Sequence, residues 1–198
     1  TQEISSGGVA SNTLISSGGI QAVSSAGSAI SASIKSAGTQ TISSGASVIA
    51  TQLSAGGSQL INAGAVASTT QVNSGATQSV TSGASTVSTS ISSGGTQEIS
   101  SGGVASNTLI SSGGIQAVSS AGSAISAGVL SGGNQVIHGG AVISATQISS
   151  GGTQTLLSGA SVNTTQISGG ATQVIGNAAS AVSTSISSGG TQEISSGG

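Results

Sequence analysis

The stretch TQEISSGGVASNTLISSGG, residues 1–19, is the unit from which the whole chain is built. The 198 residues divide into ten complete rows of nineteen and eight further residues, without an insertion between rows. Positions are numbered here within the row, so that position 2 is Gln in every row. The glutamines are Gln2, Gln21, Gln40, Gln59, Gln78, Gln97, Gln116, Gln135, Gln154, Gln173 and Gln192. This register predicts a single repeat domain over residues 1–198 with no internal boundary.

A longer repeat of 95 residues, or five rows, is superimposed on the nineteen-residue repeat. The octapeptide TQEISSGG occurs at residues 1–8, 96–103 and 191–198. Residues 1–32 are also identical to residues 96–127. The pattern indicates that a block of five rows was duplicated.

Each row predicts two strands and two tight corners. The motif of one aliphatic residue followed by Ser-Ser-Gly-Gly fills positions 4–8 and 15–19 of the first row. Ile, Val and Thr between the corners suit extended backbone, and Gly supplies the positive φ that tight corners use. Some rows have Ala at one of the two Gly positions, so we do not expect every corner position to require a positive φ.

One row of nineteen residues cannot bury its own apolar face, but stacked rows can. The sequence therefore predicts an all-β protein, a parallel β-solenoid of about ten rungs. At about 4.8 Å per rung the rod is roughly 50 Å long. Identical side chains then stack, and the Gln column predicts a ladder of amide–amide hydrogen bonds. Hydrogen bonds from Gln to corner carbonyls are the alternative.

Side-chain alternation assigns faces to the strands. Positions 2 and 4 are expected to share one side of the first strand, and positions 9, 11, 13 and 15 one side of the second. Most rows have one aliphatic residue at either position 9 or position 11, as in Val9 with Ser11 and Ser28 with Ile30. This compensation predicts that positions 9 and 11 fill one layer of the core.

The composition excludes several classes of protein. The chain has 34 Gly, no Pro, no Cys and no aromatic residue, and 2% of its residues are charged. Regular aliphatic spacing argues against disorder, and no apolar run approaches the ~20 residues of a membrane-spanning helix. One cationic side chain is too few for a nucleic-acid surface. Because the chain starts within the pattern, we expect it to be a fragment of a longer protein.

Residues that could carry catalysis are few and far apart. The carboxylates are Glu3, Glu98 and Glu193, separated by five rows, or roughly 24 Å in a solenoid. The one histidine, His138, has no Asp or Cys with which to form a catalytic triad. We therefore expect no enzymatic activity, no metal and no cofactor.

The nineteen-residue row, with Gln two residues before an aliphatic residue, then S-S-G-G and N-T-x-I-S-S-G-G, resembles the passenger repeats of AIDA-type autotransporter adhesins of Gram-negative bacteria. Residues 1–19 and 96–114 match best, and the likeness covers the whole chain. The resemblance implies a right-handed β-helix exported to the bacterial cell surface. It also implies adhesion to host cells, self-association and biofilm formation.

The resemblance further implies that serines of the repeats accept O-linked heptose from a heptosyltransferase. The first candidates are the position 17 serines Ser17, Ser36, Ser74, Ser93, Ser112, Ser131, Ser150 and Ser188. The position 6 serines Ser6, Ser25, Ser44, Ser82, Ser101, Ser120 and Ser158 follow. Positions 5 and 16 are rival sites, because they accommodate Lys35, Leu130 and His138 and are therefore expected to be open.

Three further expectations belong to the sequence. Position 13 is Thr in eight rows, and rows of Thr on a flat solenoid face could bind ice, which is the first alternative function. An unglycosylated structural surface fibre is the second. Because repeat stacks need terminal caps, uncapped rods are expected to stack end to end or to dimerise.

Overall fold

The structure, a computed structural model, describes residues 1–119 and 121–198. These residues form two parallel sheets, one of eleven strands and one of 17. The first sheet takes one strand from each rung. Its strands are Gln2–Ile4, Ile20–Val23, Thr39–Ile42, Ser58–Ile61, Thr77–Val80, Thr96–Ile99, Ile115–Val118, Asn134–Ile137, Thr153–Leu156, Thr172–Ile175 and Thr191–Ile194.

The second sheet takes two short strands from each of the first seven rungs and one long strand from each of the next three. The paired short strands are Val9–Ser11 and Leu14–Ile15, Ser28–Ile30 and Ser33–Ile34, Ser47–Ile49 and Gln52–Leu53, Val66–Ser68 and Gln71–Val72, Ser85–Val87 and Ser90–Ile91, Val104–Ser106 and Leu109–Ile110, Ser123–Ile125 and Gly128–Val129. The long strands are Val142–Ile148, Ser161–Ile167 and Ser180–Ile186.

Each strand pairs in parallel with the strand nineteen residues further along the chain. Gln2 lies beside Gln21 and Ile4 beside Val23, and the same offset continues to the pairing of Ile175 with Ile194. This register confirms the parallel β-solenoid of about ten rungs that the row length predicts. Stacking also explains why similar residue types recur at a given position, because equivalent residues have equivalent neighbours in every rung.

A left-handed residue at position 12 kinks every rung; it separates the two short strands in the first seven rungs and lies within the long strand in the next three. Its φ lies between 55° and 61° in all ten rungs. The residues are Asn12, Ser31, Ala50, Thr69, Ser88, Asn107, Ser126, Ala145, Thr164 and Ser183. Strand alternation holds only for extended backbone, so this kink lets positions 10 and 13 both face inward.

The prediction that positions 9 and 11 fill a layer of the core is therefore wrong. Position 10 is the buried one, as Ala29, Val48 and Val162 show, each at 1% exposure or less. Positions 9 and 11 lie on the outer surface, where Val9 is 64% exposed and Ile30 37%. The predicted alternation of faces fails because the left-handed kink at position 12 reverses it.

The core consists of two apolar clusters that run along the rod. One joins position 4 to the small or aliphatic residues at positions 8 and 10, as in Ile42, Ala46 and Val48. The other joins position 15 to small residues at positions 13 and 19, as in Ile34 and Ala76. With no aromatic residue in the sequence, Ile, Val, Leu and Ala fill both clusters.

The glutamine column forms a continuous amide ladder inside the rod. Each Nε2 donates to the Oε1 of the glutamine one rung earlier, at 2.6–2.8 Å. Gln97 also donates to Thr86 Oγ1 at 3.2 Å and to Thr89 Oγ1 at 3.3 Å. Because a buried amide without a partner costs about 1–3 kcal/mol, the ladder makes a polar column compatible with the interior.

Candidate functional surfaces at the corners and outer faces

In most rungs the two corners are turns of one type. In the first rung Ser6 has φ of 51° and Gly7 of 76°, and the Gly8 amide donates to the Ser5 carbonyl at 2.9 Å. Positive φ at both central residues defines a type I′ turn. The corner at positions 16–19 repeats this geometry, with Ser17 at 52°.

Alanine at the corners behaves differently at the two Gly positions. At position 8, residues such as Ala46 and Ala65 have no positive φ, as the sequence predicts. At positions 7 and 18, by contrast, Ala26, Ala37 and Ala121 do take a positive φ, of 62–65°. The turn therefore fixes the backbone conformation even where the residue does not favour it.

The candidate serines lie at the second position of these turns and are exposed. All those that the structure describes have exposed side chains: Ser6, Ser17, Ser25, Ser36, Ser44, Ser74, Ser82, Ser93, Ser101, Ser112, Ser131, Ser150, Ser158 and Ser188. Twelve of them have φ between 48° and 53°, the exceptions being Ser131 and Ser158. The remaining candidate, Ser120, lies outside the described residues.

Successive corners stack directly on one another. The Ser93 amide donates to the Ser112 carbonyl at 2.9 Å, and the Ser112 amide donates to the Ser131 carbonyl at 2.7 Å. These backbone bonds leave the side chains pointing away from the turn. The corners therefore form two ridges along the rod, each with up to one serine about every 4.8 Å.

The rival positions 5 and 16 are less open than their residue types predict. His138 and Lys35 are exposed, but Leu130 is half-buried. Serines at these positions, such as Ser92 and Ser111, are also half-buried. Ser92 Oγ donates to Asn73 Oδ1 at 2.6 Å, which occupies its hydroxyl within the stack. The hydroxyls of Ser92 and Ser111 at position 16 are therefore less accessible than those of Ser93 and Ser112 at position 17.

The outer side of the second strand carries a line of exposed aliphatic residues. We call positions 9 and 11 of the ten rungs the aliphatic–serine face. Its exposed aliphatic residues are Val9, Ile30, Ile49, Val66, Val87, Ile125, Val142 and Val182. The other residues of this face are Ser, one Asn and the half-buried Val104.

The threonine column at position 13 faces the interior. Thr51, Thr70, Thr89, Thr108, Thr146 and Thr165 are at most 2% exposed. Thr108 Oγ1 donates to Gln97 Oε1 at 3.4 Å, so this column lines the amide ladder. The expectation that it could bind ice is wrong, because the kink at position 12 turns it inward.

Charged groups are sparse on the described surface. Glu3, Glu98 and Glu193 are exposed on the outer side of the first sheet, five rungs apart. Among the described residues no group of three His, Cys, Asp or Glu could hold a metal ion. Those residues also include no helix long and apolar enough to cross a membrane.

A surface depression with a volume of about 360 Å³ lies at the kink of rungs six to eight. Gly128, which has no side chain at position 14, leaves this space between Leu109 and Gln147. All its described lining residues are uncharged. It is a gap in the surface of the rod, and it offers no acid or base for catalysis.

Residues 4–57 match the model of the AIDA family, described as adhesin of bacterial autotransporter system, probable stalk. The crystal structure of a hyper-glycosylated TibA fragment, whose glycosylation TibC catalyses, has 36% sequence identity and a TM-score of 0.78. The alignment covers 100% of this chain and 82% of that one. No curated protein matches the sequence significantly.

Proposed function

Because this chain belongs to the AIDA family of bacterial autotransporter adhesins, we propose that it is a rigid, non-enzymatic stalk segment of the passenger, with corner serines that accept O-linked sugar. The proposed location is the bacterial cell surface, or the medium after release. The proposed partners are a heptosyltransferase as modifying enzyme and host-cell or same-protein surfaces.

The observation that carries the acceptor role is serine in a left-handed conformation. Type I′ turns favour Asn-Gly and Gly-Gly, because left-handed backbone costs other residues about 1–2 kcal/mol. This chain nevertheless places Ser at position 17 in eight of ten rungs, and seven of those eight serines have a positive φ. Backbone geometry does not account for that choice, whereas a need for an exposed hydroxyl does.

The acceptor chemistry needs only what the corner provides. The serine Oγ would attack the anomeric carbon of a nucleotide-activated heptose, forming the C–O bond while the nucleotide leaves and a base of the transferase takes the hydroxyl proton. The glycosylated TibA structure supports this assignment, because it shares this fold at 36% identity. Sugars on two ridges would also hydrate a rod that has almost no charge.

The stalk role is supported by the uninterrupted strand register. Pairing continues from Gln2 to Ile194, and the amide ladder runs the same length. A rod held together rung by rung resists bending and keeps its two ends at a fixed separation. We propose that residues 1–198 act as one continuous unit of this kind.

Mass spectrometry of the chain co-expressed with a heptosyltransferase tests the acceptor role. The triple variant Ser93→Ala, Ser112→Ala, Ser150→Ala should lose up to three sugars relative to the unsubstituted chain. The matched control, Ser92→Ala, Ser111→Ala, Ser149→Ala, changes the neighbouring half-buried serines and should keep its full sugar mass. If co-expression with an active transferase left the mass of the unsubstituted chain unchanged, the acceptor role would be rejected and the unglycosylated fibre favoured.

A further inference from the structure

The surface depression beside Gly128 continues into a smaller cavity towards the C-terminal end of the rod. The depression has a volume of about 360 Å³, and the smaller cavity, of about 70 Å³, shares Ala145 and Gln147 with it. Thr164 and Gln166 of rung nine also line the smaller cavity. We call the two together the kink groove, because residues at positions 12–14 of rungs six to nine line it.

One missing side chain distinguishes this groove from the equivalent part of the first five-rung block. Ten of the eleven residues that line the kink groove have an identical counterpart 95 residues earlier. The exception is Gly128, whose counterpart is Ser33. Gly128 has no positive φ, so backbone conformation does not call for glycine here. A Cβ at Gly128 would lie 3.2 Å from Leu109 Cδ1, so a side chain would fill the space beside that wall.

The kink groove presents hydrogen-bonding groups that carry no charge. The side chains of Asn107, Gln147 and Gln166 are exposed, and each amide offers donors and an acceptor side by side. Thr146, which lines the smaller cavity, is 1% exposed, and its Oγ1 has no hydrogen-bond partner within the described structure. Because a buried hydroxyl without a partner is unfavourable, Thr146 favours a ligand that brings a hydrogen-bonding group into this cavity.

The walls of the groove match the chemistry of a neutral sugar. An ionised ligand would lose hydration here without gaining a countercharge. Sugar hydroxyls both donate and accept, so two neighbouring hydroxyls can pair with one amide. Leu109, which is 44% exposed, gives an apolar wall for the C–H groups of a sugar ring. A depression of about 360 Å³ is at the small end of ligand sites, which run from about 300 to 1,000 Å³, and suits a single ring.

We propose that the kink groove binds a neutral saccharide, with one ring in the depression beside Gly128 and a hydroxyl directed towards Thr146. The inference rests on the proposed adhesin role and deepens it by naming the chemical class of a surface ligand. It does not depend on sugar attached to the corner serines, because the lining residues lie at positions 12–14.

Binding at one groove is expected to be weak. The groove is open to solvent on one side, and the chain has no aromatic residue on which a sugar ring could stack. A monosaccharide with the ordinary binding efficiency of small ligands then has a Kd of about a millimolar. Many rods that face a surface coated with saccharide would reinforce one another.

Nuclear magnetic resonance titration of the unmodified full chain, labelled with ¹⁵N, tests the proposal. The probes are D-glucose, D-galactose, D-mannose and N-acetyl-D-glucosamine, with the charged sugar N-acetylneuraminic acid for comparison. At least one neutral sugar should shift the backbone amide signals of Leu109, Gly128 and Gln147 and reach saturation. N-acetylneuraminic acid should bind more weakly, because its carboxylate finds no countercharge.

The duplicated block supplies matched variants. Gly128→Ser gives the groove the side chain of Ser33 and should weaken binding at least about tenfold, because the sugar ring loses its space and its hydrogen bonds. Gln147→Ala should weaken binding in the same way, whereas Gln52→Ala, its counterpart beside Ser33, should bind like wild type. Ser33→Gly is the converse change. It should create a second site, with new shifts at Leu14 and Gln52.

Three results would overturn the proposal: no saturable shift with any of the neutral sugars, wild-type binding by Gly128→Ser, or equal binding of N-acetylneuraminic acid. Circular dichroism should show wild-type strand content in every variant, so that loss of binding is not loss of fold. The titration uses the unmodified chain, so its failure leaves the sugar-mass experiment and the acceptor role intact.

The same titration with a chain that carries corner sugars identifies the source of the saccharide. If a sugar of the rod itself occupies the groove, the Gln147 amide signal is already shifted before any sugar is added. If the signal is unshifted and free sugar still binds, the ligand comes from another surface. Both results support a saccharide site in the kink groove.

Discussion

At the scale of single residues, the corner serines combine an unfavourable backbone with an exposed side chain. Ser93 has φ of 52° and stacks on Ser112 through a backbone hydrogen bond. Asn tolerates left-handed backbone better than Ser, because its short polar side chain bonds locally. The corner is thus a place where the residue that the proposed acceptor role needs differs from the one that suits stability.

Ser93→Asn should therefore stabilise the rod by about 0.5–1 kcal/mol. Urea denaturation followed by circular dichroism measures this as a higher midpoint. Ser85→Asn, at the outer side of a strand, is the control and should be neutral or slightly destabilising because Asn disfavours strands. If Ser93→Asn lowered the midpoint, the left-handed conformation of Ser93 would not be unfavourable for stability.

At the scale of strands, the sequence predicts the first strand correctly and the second only in part. The Gln and aliphatic columns identify the first strand and its inward face, since both alternate without interruption. The kink at position 12 is hidden, because only Asn12 and Asn107 are of a type that favours left-handed backbone. The ninth row is the exception to the compensation between positions 9 and 11, since it has Ser161, Val162 and Asn163, and its Val162 is the signal in the sequence that position 10 faces the core.

For the corner sites, too, the sequence predicts some features and not others. Their exposure could be predicted, since positions 6 and 17 are mostly Ser, with a few Ala, Gly or Asn. Their positive φ could be expected only for Gly7 and its equivalents, because serine seldom adopts it. The half-burial of the serines at position 16 could not be predicted, because Lys35 and Leu130 at that position indicate an open site.

The amide ladder gives a prediction at this scale. Gln97→Leu removes two ladder bonds; it leaves Gln116 Nε2 without its amide partner, and Gln78 Oε1 keeps only the hydrogen bond that Thr89 Oγ1 donates at 3.4 Å. Each buried group left unpaired costs about 1–3 kcal/mol, so the variant should unfold at clearly lower urea. Gln71→Leu, at an exposed position 14, is the control and should change the midpoint little. Equal midpoints for the two variants would show that the ladder does not stabilise the rod.

At the scale of the whole molecule, the rod is a one-dimensional array in which each rung contacts its neighbours. Every strand pairs at an offset of nineteen residues, from Gln2 with Gln21 to Ile175 with Ile194. The stability of such arrays is a sum over rungs and the interfaces between them. Length can therefore change by whole rungs without disturbing the remaining structure, which fits a chain that repeats a five-rung block.

Deletion of residues 79–97 tests this directly, because it joins Gln78 to Glu98 and restores the sequence Thr-Gln-Glu-Ile in register. The variant should fold cooperatively, with wild-type strand content and a rod about 4.8 Å shorter by small-angle scattering.

Deletion of residues 79–96 is the matched control. It joins Gln78 to Gln97, and the extra residue forces either a glutamine or Ile99 out of the interior, since a one-residue slip reverses the faces of a strand. Losing one buried aliphatic residue costs about 1.5–3 kcal/mol, so the control should melt earlier. If both deletions melted alike, the nineteen-residue register would not be what holds neighbouring rungs together.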